Sequence, residues 1–450
     1  MKVILNKLYK LTYPQMIALG YLLVIMIGTC LLVLPAASRD HLSPGFINAL
    51  FTATSATCVT GLVVFDTYTQ WTPFGKLVIL LLIQVGGLGF MTTITLFSFL
   101  LRRKIGLRER GLLRESVNTM YIGGIVRLTK KILVGTFIFE GLGAILLAIK
   151  FIPRMGLVLG VYYGIFHSVS AFCNAGFDLM GKFGKYSSLT TFSDDALVCL
   201  TIIALIVIGG IGFFVWDDIV KNKYNFKKYQ LHTKIVIVTT VLLIISGSTG
   251  FYIFERSNLL ADMSLGEKIL ASLFAAVTPR TAGFNTIDTA ALTPASKLLT
   301  MVLMFIGGSP GSTAGGIKTT TLAVILISLW SSLANTKSES IFGRRLEDNA
   351  LKRAVAVTSV NLILALCATF LISSANTSLY LIDVLFEVLS AIGTVGLSTG
   401  ITSSLNTFAR VVIILLMYSG RVGSLSFALL FTEHRVPSAI QNPVEKINIG

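Results

Sequence analysis

Charge is what this sequence has least of. Asp, Glu, Lys and Arg together make up 13% of it, where an ordinary soluble domain has about 25%. A surface facing water on all sides cannot be built from that mixture. A soluble enzyme, a DNA-binding protein, a secreted scaffold and a disordered tail are therefore excluded. Cysteine is sparse too. Cys30, Cys58, Cys173, Cys199 and Cys367 form no CxxC pair and sit in apolar stretches, so inert buried thiols are expected rather than a disulfide framework or a zinc site. No strand–GxGxxG–helix unit is present, so no nucleotide-binding domain is expected in this chain. No base-reading motif accompanies the net charge of +16, so nucleic acid is not its partner.

Apolar length is what the sequence has in abundance. Hydrophobic residues fill 54% of its 450 positions, in runs of about twenty, the length a helix needs to cross a bilayer. An all-α polytopic membrane protein is expected. Of 37 Lys and Arg residues, 25 fall in segments 1–12, 102–131, 217–234, 318–353 and 433–450, which hold only 9 acidic residues. That excess marks one side as cytoplasmic. The amino-terminus imitates a signal peptide, with Lys2, Lys7 and Lys10 before an apolar run from Met16 and then Pro35-Ala36-Ala37-Ser38. The run of about twenty residues exceeds a usual signal core, and it fits as the first member of a repeat.

Four segments align with one another. They run from Leu50-Phe51 to Gly61-Leu62, from Ile165-Phe166 to Gly176-Phe177, from Leu273-Phe274 to Gly283-Phe284 and from Leu385-Phe386 to Gly396-Leu397. Each carries Ser or Thr four residues after its Phe, and the closing glycines stand 115, 107 and 113 residues apart. Each lies between two apolar runs. Those before are roughly 16–35, 132–153, 234–254 and 354–373; those after are roughly 77–101, 196–216, 297–328 and 409–431. The later runs hold glycine pairs at Gly86-Gly87, Gly209-Gly210 and Gly307-Gly308, with Gly420 in the fourth, and these read as helix-packing positions. The expected architecture is four tandem helix–pore-loop–helix repeats around a pseudo-fourfold pore, with eight spanning helices, four half-helices and both termini cytoplasmic. The repeats are 12–108 (pore loop 46–62), 125–222 (162–178), 229–330 (269–285) and 350–434 (382–398), before a cytoplasmic tail at 435–450.

A short loop after a half-helix sits at membrane depth only where protein or a water-filled cavity satisfies its backbone. Four such loops from like units meet on one axis, with carbonyls that have only water or a cation to bond. Rings of backbone carbonyls replace an ion's hydration shell in potassium filters. Half-helices pointing their partly negative C-terminal ends inward favour a cation. The candidate lining is Cys58, Val59, Thr60 and Gly61; Cys173, Asn174, Ala175 and Gly176; Arg280, Thr281, Ala282 and Gly283; and Gly393, Thr394, Val395 and Gly396. No acidic ring lies in these loops, and Asp178 is the sole carboxylate just beyond a closing glycine, so charge-ring selectivity is not expected.

The third later run breaks the pattern. Gly307, Gly308, Ser309, Pro310, Gly311, Ser312, Thr313, Ala314, Gly315 and Gly316 include five glycines and a proline, a density that breaks a helix. It reads as a mobile loop under the filter, or as a kink packed on its neighbours. It nearly matches a phosphate-binding P-loop, but Ile317 separates the last glycine from Lys318 and the spacing fails. Arg421 lies inside an apolar helix, and an intramembrane charge is a functional candidate; the carbonyls of 307–316 are its expected partners. His167 and Glu387 are expected to brace the filter from behind, Arg280 to do so or to face the outer mouth, and Glu140 to be neutral or hydrogen-bonded to a neighbour.

These features resemble the Trk/Ktr/HKT superfamily of potassium transporters, and within it most closely the Ktr membrane subunits, over about residues 12–435. The resemblance implies a single-chain potassium pathway with one filter glycine per repeat, a gate at 307–316 with Arg421, and potassium preference from Gly61. It also implies a homodimer in a bacterial plasma membrane, on a separate cytosolic RCK-type ring (KtrA-like) that binds ATP or ADP, this chain itself carrying no cofactor. Segments 102–127 and 336–350 are the expected contacts. Sodium permeation or ion-coupled symport through Asp178 and Glu140 stands as an alternative. An intramembrane enzyme using Cys173, His167 or Asp178 does not explain four copies of one loop.

Overall fold

The computed structural model describes residues 12–101, 105–117, 123–223, 225–336, 338–423 and 445. The expected end of the fourth repeat after Gly423, most of the tail, the first eleven residues, and parts of the proposed contact segments lie outside them. A long helix, a short helix, a loop and a further helix follow one another four times. The first set is α1 (Tyr13–Val33), α2 (Phe46–Thr57) and α3 (Pro73–Leu88), extended by α4 (Phe90–Leu100). A connecting helix, α5 (Leu107–Val117), leads to α6 (Ile125–Met155), α7 (Leu157–Phe172), α8 (Ala196–Gly210) and α9 (Phe213–Asn222). The third set is α10 (Leu231–Glu255), α11 (Leu265–Val277), α12 (Pro294–Phe305) and α13 (Thr319–Leu333). A two-stranded hairpin, β1 (Ser340–Ile341) with β2 (Arg344–Arg345), precedes α14 (Ala350–Ala375), α15 (Leu381–Gly393) and α16 (Thr407–Val422).

Helices α1, α6, α10 and α14 are long and apolar enough to cross a bilayer alone, and only 28–39% of their apolar windows is buried. They form the outer wall. The short helices are innermost: the repeated phenylalanines Phe51, Phe166, Phe274 and Phe386 are all fully buried. Each later helix starts on a side-chain cap that satisfies an otherwise unpaired backbone N–H. Thr72 accepts from Gly75 N, Asp195 from Leu197 and Val198 N, Thr293 from Ser296 N and Asn406 from Ala409 N.

Two expected spans are not straight. The run 77–101 bends by 102° between α3 and α4, and 196–216 bends by 95° between α8 and α9. The cause is Gly89 at φ +83° and Gly212 at φ +98°, which place the chain in the left-handed region that ends a helix. At the second bend Trp216 Nε1 donates to Ile208 O at 3.0 Å, satisfying a carbonyl near the break. Among the described residues there are four single spans, or six if each bent pair counts as one. Of the other expected spans, the third later run is divided between the short α12 and α13, and the fourth, α16, runs to the limit of the described residues. Cys58, Cys173 and Cys199 are buried, but Cys30 and Cys367 are exposed on the outer wall, so the expectation of five buried thiols is corrected.

Candidate functional site

All four loops end in one backbone conformation. The residue two before each closing glycine, and the glycine itself, both have positive φ: Val59 and Gly61 (56°, 92°), Asn174 and Gly176 (58°, 68°), Thr281 and Gly283 (69°, 81°), Thr394 and Gly396 (51°, 91°). Alternating left-handed and ordinary residues turns successive carbonyls towards one side of the strand. A side chain at the closing position is disfavoured by this φ and has no room.

The glycines close on one another in sequence order. A β-carbon built on Gly61 would lie 2.5 Å from Ala175 O; on Gly176, 2.7 Å from Ala282 O; on Gly283, 2.6 Å from Val395 O; and on Gly396, 2.2 Å from Thr60 O. Four loops separated by more than a hundred residues thus form a ring of carbonyl-bearing backbone.

The repeated hydroxyls hold this ring from behind. Ser55 and Ser390 accept from the N–H groups of Gly61 and Gly396 at 3.1 and 3.0 Å. Ser170 donates to Phe177 O at 2.7 Å, and Thr278 donates to Phe284 O. The N–H groups of Thr60, Ala175 and Val395 donate to Ser55, Ser170 and Ser390 carbonyls, each at 2.8 Å, and that of Ala282 to Thr278 O at 2.9 Å. The sequence showed the Ser/Thr position, but not which backbone groups these side chains would tie. At the ring, Thr60 Oγ1, Asn174 Oδ1 and Thr394 Oγ1 are buried without a protein partner among the described residues.

The bracing residues lie outside the ring. His167 Nδ1–H donates to Tyr163 O at 2.8 Å and its Nε2 accepts from Leu179 N at 3.2 Å, a pairing that requires a neutral ring. Glu387 accepts from Ser398 at 2.7 Å and from Thr402. Arg280 points away from the mouth, its Nη2 3.4 Å from Thr240 Oγ1 on α10. Glu140 accepts from Gln84 Nε2 at 3.1 and 3.2 Å, beside the Cys173 thiol at 3.8 Å.

Residues 306–318 fold back on themselves through the Ile306–Ile317 bridge. Ser309 N donates to Gly210 O at 3.0 Å, Thr313 N to Gly209 O at 3.2 Å, and Thr313 Oγ1 to Phe172 O, the end of α7, at 3.2 Å. A β-carbon on Gly315 would collide with Thr394 Oγ1 at 2.0 Å. The loop therefore abuts the C-terminal ends of α7 and α15, immediately beside the ring. Lys318 Nζ donates to Ala314 O at 2.8 Å. Arg421 joins three parts of the chain, donating to Thr313 O in this loop, to Gly86 O, and to Gly87 O at 3.3 Å.

On its other side the ring opens into a cavity of about 220 Å³, lined by all four closing glycines with Asp66, Asp178 and Asp288 and, among the described residues, by no Lys or Arg. Asp66 and Asp288 were missed in the sequence. Each stands five residues after a closing glycine, a spacing that marks them only once the loops are known to converge. Asp66 accepts from Thr69 N at 2.8 Å and from Tyr186 N at 3.1 Å. Asp178 accepts from Met180 N at 2.8 Å. Burial pushes Asp178 up to about 7; the Met180 N–H offsets part of this and neighbouring Asp66 adds to it.

Membrane-crossing helices enclosing re-entrant loops, with an oxygen-lined ring and an acidic mouth, define a polytopic transport protein for cations. The chain belongs to the TrkH family, whose model, described as a cation transport protein, matches residues 12–441; the family is one of transporters and not of enzymes. The Ktr system potassium uptake protein B of Bacillus subtilis is 41% identical, over 95% of this chain and 94% of its own. The potassium/sodium uptake protein NtpJ of Enterococcus hirae is 40% identical over 98% of both. The crystal structure of the potassium transporter TrkH from Vibrio parahaemolyticus shares the fold, with a TM-score of 0.70 at 18% identity, covering 92% of this chain and 84% of that one.

Proposed function

We propose that this chain is the ion-translocating membrane subunit of a potassium uptake system. Its four repeats surround one pseudo-fourfold pore with both termini cytoplasmic. K⁺ exchanges its water for the carbonyls of the loops closing at Gly61, Gly176, Gly283 and Gly396. The single observation that carries this reading is the closed order of the ring, each glycine packed on the carbonyl before the next. Oxygen dipoles fixed by ties behind the strand cost no reorganisation when a dehydrated ion arrives. The unpartnered oxygens of Thr60, Asn174 and Thr394 face the same chemistry.

The 307–316 loop, beneath the filter, is the gate. Arg421 pins it to α3 and places a fixed positive charge beside the pathway, which raises a barrier to a cation. The acidic mouth gathers cations before they enter.

The relatives named for a Ktr system support a multi-subunit arrangement. In it the chain is a homodimer on a cytosolic RCK-type ring that takes ATP or ADP, docked through segments 102–127 and 336–350. The test is K⁺ uptake in a transport-deficient cell, with and without sodium. The proposal predicts saturable, sodium-independent K⁺ uptake. Uptake strictly dependent on sodium would count against it.

A further inference from the structure

The bend between α8 and α9 opens a second cavity, on the outer wall and away from the ring. It measures about 720 Å³, within the range of about 300–1,000 Å³ usual for small-molecule sites. It lies between α6 and the bent pair, with apolar walls that include Ile132, Ile138, Phe139, Ile208, Phe213 and Trp216. Had α8 continued straight, it would have run along this side; turned through 95°, the chain instead lays α9 at the cavity's edge. Trp216 is fixed there by its bond to Ile208 O and by Gly135, where a β-carbon would come within 3.2 Å of the indole.

Charge decides what fits. Arg127, Lys130 and Lys131, on the first two turns of α6, border the cavity together with Asp217. Lys131 is paired with Asp217 at 2.6 Å, and Lys221 pairs with the same carboxylate. Among the described residues neither Arg127 nor Lys130 has an acidic partner. This end of α6 adjoins a segment carrying the basic excess, and so lies at the cytoplasmic headgroup plane, where anionic lipids are found.

We propose that this cavity binds an anionic phospholipid of the cytoplasmic leaflet, an acyl chain lying against Phe139, Ile208 and Trp216 and the phosphate resting on Arg127 and Lys130. A zwitterionic lipid would bring the same phosphate together with its own headgroup cation, so its net charge would not offset the two basic residues. The site also touches the transport machinery: Phe213, part of its wall, donates its N–H to Gly311 O at 2.8 Å in the 307–316 loop.

The indole in the wall provides the assay. The full-length chain with Trp330→Phe retains Trp216 and the buried Trp71, and is reconstituted in phosphatidylcholine vesicles containing a minor fraction of brominated phosphatidylglycerol or brominated phosphatidylcholine. Brominated phosphatidylglycerol should quench Trp216 fluorescence at a mole fraction on the order of tenfold lower, the preference two basic residues give an anionic headgroup. Arg127→Gln with Lys130→Gln should remove that preference while leaving quenching by brominated phosphatidylcholine unchanged. Equal quenching by the two lipids, selectivity that survives the double substitution, or no quenching by either because protein covers the cavity would each overturn the proposal.

Discussion

Gly396 lies so close to Gly61, 335 positions earlier, that a β-carbon on it would come within 2.2 Å of Thr60 O and 2.9 Å of the Gly61 Cα. This contact brings the last loop against the first. A chain whose loops lined separate cavities would have no reason to exclude a methyl group there.

The ties behind the ring are testable one by one. Ser390→Ala removes the acceptor for Gly396 N–H and leaves a buried donor unpaired, a cost of about 1–3 kcal/mol. The loosened strand should discriminate less between K⁺ and Na⁺, as measured by competitive flux. Ser390→Thr, which keeps the hydroxyl, should retain most of the discrimination.

Arg421 should act on rate and not on selectivity, because its partners are carbonyls of Thr313, Gly86 and Gly87 and it is not among the ring residues. Arg421→Ala should raise K⁺ flux about tenfold by freeing the loop and removing a positive charge near the path. It should leave the K⁺/Na⁺ ratio unchanged in proteoliposomes.

The mouth should respond to external pH. Asp178 is held near 7 by burial, above the usual carboxylate range. The sign follows: a carboxyl whose folded pKa is raised binds its proton more tightly folded than unfolded. Its contribution to stability is full at low pH and is lost as pH rises through about 7. The charge of the mouth moves oppositely, becoming more negative over the same interval. Acidifying the outside from about 8 to about 6 should therefore raise the apparent KM for K⁺ by about threefold, and Asp178→Asn should flatten the pH profile.

The membrane class was legible from the scarcity of charge and the length of the apolar runs, and the repeating Phe, hydroxyl and glycine marked where short helices would end in loops. The bends at Gly89 and Gly212 were not legible. Gly86-Gly87 and Gly209-Gly210 read as packing positions, and packing is part of their role: a β-carbon on Gly86 would meet Thr57 O, and one on Gly209 would meet Phe172 O, each at 2.1 Å. The turn depends on a further glycine with positive φ, which composition does not distinguish from its neighbours. Asp66 and Asp288 were invisible for a different reason. Each is an ordinary loop carboxylate until distant segments bring it to the same mouth as Asp178.

The most direct test is the K⁺/Na⁺ permeability ratio of Gly61→Ser in proteoliposomes. Its β-carbon must displace Ala175 O, 2.5 Å away, and the residue must hold φ near +92°. If backbone oxygens select the ion, the ratio should fall by about fivefold or more, since carbonyl position sets the preference. A variant that reaches the membrane, transports K⁺ and keeps the unaltered ratio would contradict the carbonyl ring as the selective element.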